Sequence, residues 1–347
     1  MAIVSKVLGI QGERLVSGDV GVEIEVEGDS LPKKITGWRT ENDGSLRGES
    51  FEYVLKTPAT FEELPSRLAA IETAYKAAGT HVHDSVRAGI HVHVNVQQLT
   101  LIELFNYLTL CIVFEDLLIE FCGESRTGNL FCLRTKDAQY LNRVLQDVAQ
   151  TTNFKLFDSD AVRYSFMNPK SIFQYGSLEF RSLKSTRDWD QILTWVGILL
   201  RLREVAKTFY NPQDIITGFS GQEVAQFRER VLGEFFDTLN FPGADKKVFD
   251  SMRYAQDLAF CTDWNSLRTL GENNPFLIGD MQVYSDSAPL VVPNIQSRPK
   301  KKIDIGSIAS IPMPAPTWRE VSQIQDMAMG QIAVRASGGT VERGEDF

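Results

Sequence analysis

Glu23 and Glu25 stand two residues apart in Gly21-Val22-Glu23-Ile24-Glu25, and that spacing is a first chemical signal in the chain. Val20, Val22, Ile24 and Val26 interleave with the acids, a period of two that predicts a strand. Alternate side chains of a strand share a face, so the two carboxylates are held roughly 6–7 Å apart, two rises of about 3.3 Å. At an effective dielectric of about 20 their repulsion is on the order of 2–3 kcal/mol. A solvated edge strand would tolerate that; a divalent cation would turn it into a ligand set. Glu52, in Phe51-Glu52-Tyr53-Val54, and Glu179, in Leu178-Glu179-Phe180-Arg181, also sit in strand-like segments beside apolar neighbours. Several acids on one sheet face suit all-oxygen ligation of Mg²⁺, with Mn²⁺ as the alternative.

Arg181 shares the strand face of Glu179 while Phe180 turns the other way. Metal-binding carboxylates beside a guanidinium are what phosphoryl transfer requires, because the cation carries the charge that spreads over the transferred group. A plain Glu–Arg pair within the sheet is the structural alternative. All four histidines, His81, His83, His91 and His93, fall in one short segment as two His-x-His pairs. One reading has four imidazoles closing a tetrahedral zinc site across a hairpin. The other has His91, with Asn95 on the same face, touching phosphate or a reacting carboxylate. Arg163, in Val162-Arg163-Tyr164-Ser165-Phe166, is a candidate second phosphate ligand, or else a surface arginine. The chain has no GxxxxGK[ST] loop, no GxGxxG leading into a helix and no GxSxG elbow. A nucleotide would therefore be held by metals and arginines.

The elements that must position these groups follow from periodicity and punctuation. Strands are expected near 20–26, 50–56, 90–96, 162–166 and 177–182, with a turn at Asn42-Asp43-Gly44-Ser45. A helix opens at a Thr60/Glu63 capping box, carries Leu64, Leu68, Ile71 and Tyr75 on one side and ends at Gly79. Further helices are expected over about 101–122 (Thr100/Glu103 box), 136–150, 188–210 and 220–239 (Ser220/Glu223 box). The fold class expected is α+β: a curved, largely antiparallel sheet with helices packed on one face. The segment Gly123–Lys136, with Arg126, Gly128 and Asn129, is a candidate covering loop.

At 347 residues the chain admits one large domain or two ordinary ones. The expected organisation is a catalytic domain over 1–279 and a proline-rich extended arm over 280–347, which includes Arg298-Pro299-Lys300-Lys301-Lys302. Such an arm suits a protein partner or a homo-oligomer contact. The 36 basic against 45 acidic residues give a net charge of −9, which argues against broad, sequence-independent nucleic-acid binding. The most apolar stretch, Leu101 to Cys122, contains Glu103, Glu115, Asp116 and Glu120. Each would cost roughly 2.5–3.5 kcal/mol at bilayer depth, so a buried helix is expected rather than a membrane span. Met1 to Ile10 lack an apolar core with a small-residue cleavage site. Cys111, Cys122, Cys132 and Cys261 lack metal-ligand spacing and read as reduced core thiols, so a cytoplasmic location is expected.

Taken in order, Gly21-Val22-Glu23-Ile24-Glu25, Asp43-Gly44-Ser45-Leu46, Glu52, Gly89-Ile90-His91-Val92-His93-Val94 and Leu178-Glu179-Phe180-Arg181 form a pattern. It resembles the amidoligase branch of the carboxylate–amine ligase superfamily, whose relatives include glutamate–cysteine ligases and, more distantly, glutamine synthetase. The resemblance spans about residues 18–210. It implies a glutamine-synthetase-like sheet curved around ATP and two or three Mg²⁺ ions. By that match Glu23, Glu25, Glu52 and Glu179 would be metal ligands, His91 the histidine near the phosphates and Arg181 the phosphate-stabilising arginine. Arg163, His93 and Lys56, the last in Lys56-Thr57-Pro58 after Glu52, are assigned to the nucleotide, and Asp43, Ser45 and Arg126 to the substrates. The substrates implied are a small-molecule or peptide carboxylate and an amine, joined through an acyl phosphate. A phosphotransferase and a non-enzymatic assembly protein on the same scaffold are the alternatives. Neighbouring virion genes would point to use by a phage.

Overall fold

The computed structural model describes residues 3–151, 153–216 and 223–261. The expected C-terminal arm over 280–347 and the Ser220 end of one expected helix cap lie outside them. Seven strands form the sheet: β1 (Val20–Asp29), β2 (Trp38–Glu41), β3 (Ser50–Leu55), β4 (His81–Val82), β5 (Gly89–Asn95), β6 (Met167–Asn168) and β7 (Ser177–Lys184). Their order is β2-β3-β1-β5-β7-β6, with β4 paired to the far end of β1, and every pairing is antiparallel. The helices described are α1 (Val4–Val7), α2 (Leu64–Ala78), α3 (Leu101–Cys122), α4 (Gln139–Thr151), α5 (Lys170–Tyr175), α6 (Trp189–Ala206), α7 (Pro212–Ile216), α8 (Val224–Leu232) and α9 (Ala244–Cys261). The fold is α+β, as the alternation of the strands leads one to expect.

Alternation divides the sheet chemically. Val20, Val22, Ile24, Val26, Ile90, Val92, Val94, Leu178 and Phe180 are buried on one face. Against that face lie α3 and α6: Tyr107 and Trp195 put their rings 6.0 and 6.4 Å from Phe180. Burying side chains of this size contributes roughly 1.5–3 kcal/mol each. The acids that interrupt α3 all have partners. Glu103 closes the expected capping box with Thr100. Glu115 accepts bonds of 2.7 Å from both the N–H and the hydroxyl of Thr135, Asp116 pairs with Arg134, and Glu120 lies 2.5 Å from Lys247 Nζ. Among the described residues no helix is long and apolar enough to cross a membrane. Cys111, Cys122 and Cys132 are buried free thiols.

Two local expectations are corrected. The 162–166 segment is no strand: 160–162 is a 3₁₀ turn, and the strand begins only at Met167. Ser165 explains this, since its hydroxyl donates to both Val162 O and Met167 O and offers the backbone an alternative to a ladder. At the start of α2 only half of the capping box forms. Glu63 accepts from Thr60 N–H, and the helix begins at Leu64 with Pro65 in its first turn.

Candidate functional site

The polar face of the sheet carries the chemistry, and strand register assembles it. Glu25 stands opposite Glu52, Glu23 opposite His91, His93 opposite Glu179, and Glu179 opposite Asn168. Five strands thus deliver one row of polar side chains. Between β5 and β7 the register slips, Ile90 pairing with Leu183 but Val92 with Phe180. His91 therefore faces two residues, Arg181 and Ser182. This bulge lets Glu179 and Arg181 keep the polar face while Leu183 returns to the core.

Around that row lies a cavity of about 320 Å³, bordered by Glu23, Glu52, Glu179, Arg181, His91 and His93 together with Asp43, Arg163, Asn168 and Ser171. A second hollow of about 180 Å³ adjoins it, sharing Asp43, His91, Arg163 and Arg181 and adding Glu25, Ser45, Arg87, Arg126, Phe131 and Tyr164. His91 Nδ1 is 3.2 Å from Glu23 Oε2 and 3.9 Å from Glu179 Oε1, and its Nε2 is 3.6 Å from Glu25 Oε1. His93 Nε2 is 3.2 Å from Glu23 Oε1, and its Nδ1 is 3.2 Å from Ser177 Oγ. Gly89 N–H donates to Glu25 at 2.7 Å. Glu179 pairs with Arg181 through one oxygen and accepts from Asn168 at 2.7 Å and Ser171 at 3.0 Å through the other.

The charges sort themselves by neighbour. Burial pushes the Glu23 carboxyl up, but the His93 charge and bonds from His91 and His93 outweigh it and hold the group well below its usual range. Burial likewise pulls His93 down, yet the Glu23 charge raises it to about 9. Burial also raises Glu179, and the Arg181 charge beside it brings it below the ordinary carboxylate value. Glu52 has no such relief. Burial, then the charges of Glu23 and Glu25, raise it to about 8, and its hydrogen-bond partner is itself an acid, Glu23. Ligand atoms of Glu23, Glu52 and His91 lie within 4.8 Å of one another, as do those of Glu23, His93 and Glu179 and those of Glu25, Asp43 and Glu52.

The residues anticipated from sequence divide as follows. Glu23, Glu25, Glu52, Glu179, Arg181, His91, His93, Asp43, Ser45, Arg163 and Arg126 border one or both hollows. Lys56 does not; it is exposed beyond the end of β3. Asp43 Oδ1 holds Ser45 N–H across the expected turn, and Ser45 O accepts from Arg87 at 2.9 Å. Arg126 is buried, its Nε and Nη2 donating to Ser182 O and Arg181 O at 3.0 and 2.7 Å. It thereby holds both carbonyls of the bulge. The four histidines do not close one zinc site: His91 and His93 lie among the glutamates, whereas His81 and His83 are exposed and group with Asp29. Sequence reasoning missed Asn168, Ser171, Ser177, Arg87 and Gly89. Asn168-Pro169 signals only that the chain turns there, not which carboxylate the amide will reach.

A search of curated proteins finds no match to the chain. Residues 39–203 match a family model described as "Putative amidoligase enzyme". That span runs from β2 into α6 and takes in Asp43, Glu52, His91, Arg126, Glu179 and Arg181, while β1 with Glu23 and Glu25 precedes it. Over residues 39–203 the chain is similar to that family.

Proposed function

We propose that the cavity is the active site of an ATP-dependent carboxylate–amine ligase that forms an amide or peptide bond through an acyl phosphate. The observation that carries this reading is the convergence of Glu23, Glu52 and Glu179 on one cavity and of Glu25 on the hollow beside it, with Arg181 bordering both, in a chain whose residues 39–203 resemble amidoligases. Whether cations suit the site is tested by Glu52. Burial, and after it the charges of Glu23 and Glu25, raise its carboxyl to about 8, and that second cause marks negative charge that divalent ions would relieve. The four glutamates would hold two or three Mg²⁺ ions, and Mn²⁺ fits the same oxygens. Such ions neutralise phosphate charge and make the γ-phosphorus electrophilic.

In this reading the protein's own groups orient and neutralise. Arg181 is fixed through Glu179 and keeps a buried Nε without a partner, which suits it to take charge developing on the transferred phosphoryl. His91 lies among Glu23, Glu25 and Glu179 and would steady the phosphates. His93 and Arg163 would meet the nucleotide. Lys56, a lysine added to the family's pattern, borders neither hollow and takes no part in this reading. Asp43 and Ser45 would frame the substrates at the second hollow, while Arg126, which also borders it, would position Arg181 through the two carbonyls it holds. The substrate carboxylate oxygen bonds to the γ-phosphorus as the bond to ADP breaks. The amine then bonds to the acyl carbon as phosphate leaves. Acyl phosphates hydrolyse readily, so water exclusion falls to the 123–136 segment, whose Arg126 and Phe131 line the second hollow.

The test is release of ADP and phosphate on mixing the protein with ATP, Mg²⁺ and a panel of amino acids and short peptides. Glu179→Gln should cut that release by about a hundredfold or more, because Arg181 loses its anchor. Undiminished turnover in the variant would overturn the assignment. A stable phosphorylated product without free phosphate would identify a phosphotransferase, and a melting temperature unmoved by ATP–Mg²⁺ an assembly protein.

A further inference from the structure

The pairing of β4 with β1 assembles a second group of metal-ligating side chains. His81 and His83 are spaced to share a strand face, and Asp29 stands opposite His81 in register. His83 Nε2 lies 2.9 Å from Asp29 Oδ2, the two imidazole rings are 5.3 Å apart, and one ligand atom from each of the three residues falls within 4.8 Å of the others. The backbone is shaped for this approach. A Cβ on Gly28 would meet His81 O at 2.4 Å, so β4 can lie against β1 only because position 28 has no side chain. All three residues are exposed.

We propose that Asp29, His81 and His83 bind a zinc-class divalent cation, separately from the glutamate-lined cavity. Two imidazoles and a carboxylate are the donor set of borderline ions such as Zn²⁺, whereas Mg²⁺ prefers oxygen alone. Metal–ligand bonds of about 2.0–2.2 Å put neighbouring ligand atoms roughly 3–3.5 Å apart. The His83–Asp29 edge is already that short, and His81 has only to close in. Three protein ligands leave a fourth position for water or an outside donor. The ion would also clip the two-residue β4 to β1. The chain leaving that clip carries Arg87, which borders the second hollow, and then Gly89, whose N–H holds Glu25. Zinc would thereby steady one wall of the cavity from outside it.

The test is equilibrium dialysis of the full-length, tag-free protein against Zn²⁺ in excess Mg²⁺, followed by elemental analysis. The wild type should retain one zinc per chain, and His81→Gln/His83→Gln should bind it at least about tenfold more weakly. Because both histidines are exposed, the double variant should melt with the wild type when zinc is absent. Glu23→Gln, placed in the cavity, should keep the zinc. Failure of the wild type to bind, equal retention by the double variant, or loss in Glu23→Gln instead would each overturn the site.

Discussion

Glu52 faces Glu25 across the β1–β3 ladder and hydrogen-bonds a second acid, Glu23. Its carboxyl is raised to about 8, so near neutrality it keeps a proton that water would take from an ordinary glutamate. Replacing it with the neutral isostere should have opposite effects on stability and function. Glu52→Gln should raise metal-free stability at pH 7 by on the order of 1–2 kcal/mol, since the amide is neutral without the proton that the buried carboxyl must take up on folding. The same change should abolish ADP release and shrink the rise in melting temperature caused by Mg²⁺. A variant that is less stable without metal yet still active would mean that Glu52 is a structural acid. At this scale the sequence is legible in part. Residue types such as Glu23, Glu25, Glu179 and Arg181 show themselves because charge inside apolar alternation is expensive. Their supports do not: Ser171 and Asn168 bond Glu179 only because α5 and β6 bring them beside β7.

The bulge in β7 is the element on which the position of Arg181 depends. Both of its carbonyls are held by the buried guanidinium of Arg126. A neutral side chain there would leave Arg181 O and Ser182 O without that donor, at about 1–3 kcal/mol for each buried group. Arg126→Leu should therefore lose roughly 2–6 kcal/mol of stability in urea unfolding and lower turnover through a displaced Arg181. The discriminating readout is kinetic: kcat should fall while KM for the amine changes little. The reverse would make Arg126 a substrate ligand, the role its sequence context first suggests. The long strands β1, β3, β5 and β7 are readable because one buried face forces a period of two. The bulge is not, since it depends on which residues of another strand lie opposite. Nor is the turn at 160–162, where Val162, Tyr164 and Phe166 mimic alternation while the Ser165 hydroxyl organises the backbone.

Proton and metal binding are coupled through the whole molecule's stability. Glu23 and Glu179 are held below the usual 4.5, so the stability they contribute is present above that value and lost as pH falls through their lowered ones. His93, raised from 6.5 to about 9, contributes fully below 6.5 and loses that contribution as pH rises through 9. Glu52, raised from 4.5 to about 8, keeps a proton in the folded chain that the unfolded chain has released, so stability falls as pH climbs through that interval. The signs combine to place the metal-free optimum on the acid side of neutrality, with a decline toward pH 9. Divalent ions reverse the high-pH half of this argument. An ion among the glutamates displaces the Glu52 proton, and less free energy is spent on that displacement where the proton is already leaving. Mg²⁺ should therefore raise the melting temperature little at about pH 6 and progressively more toward about pH 9, with affinity increasing by up to about tenfold per pH unit below 8. Melting curves with and without Mg²⁺ across that range measure it, and Glu52→Gln should flatten the dependence. A magnesium effect that is the same at every pH would show that the ion binds elsewhere than among these carboxylates.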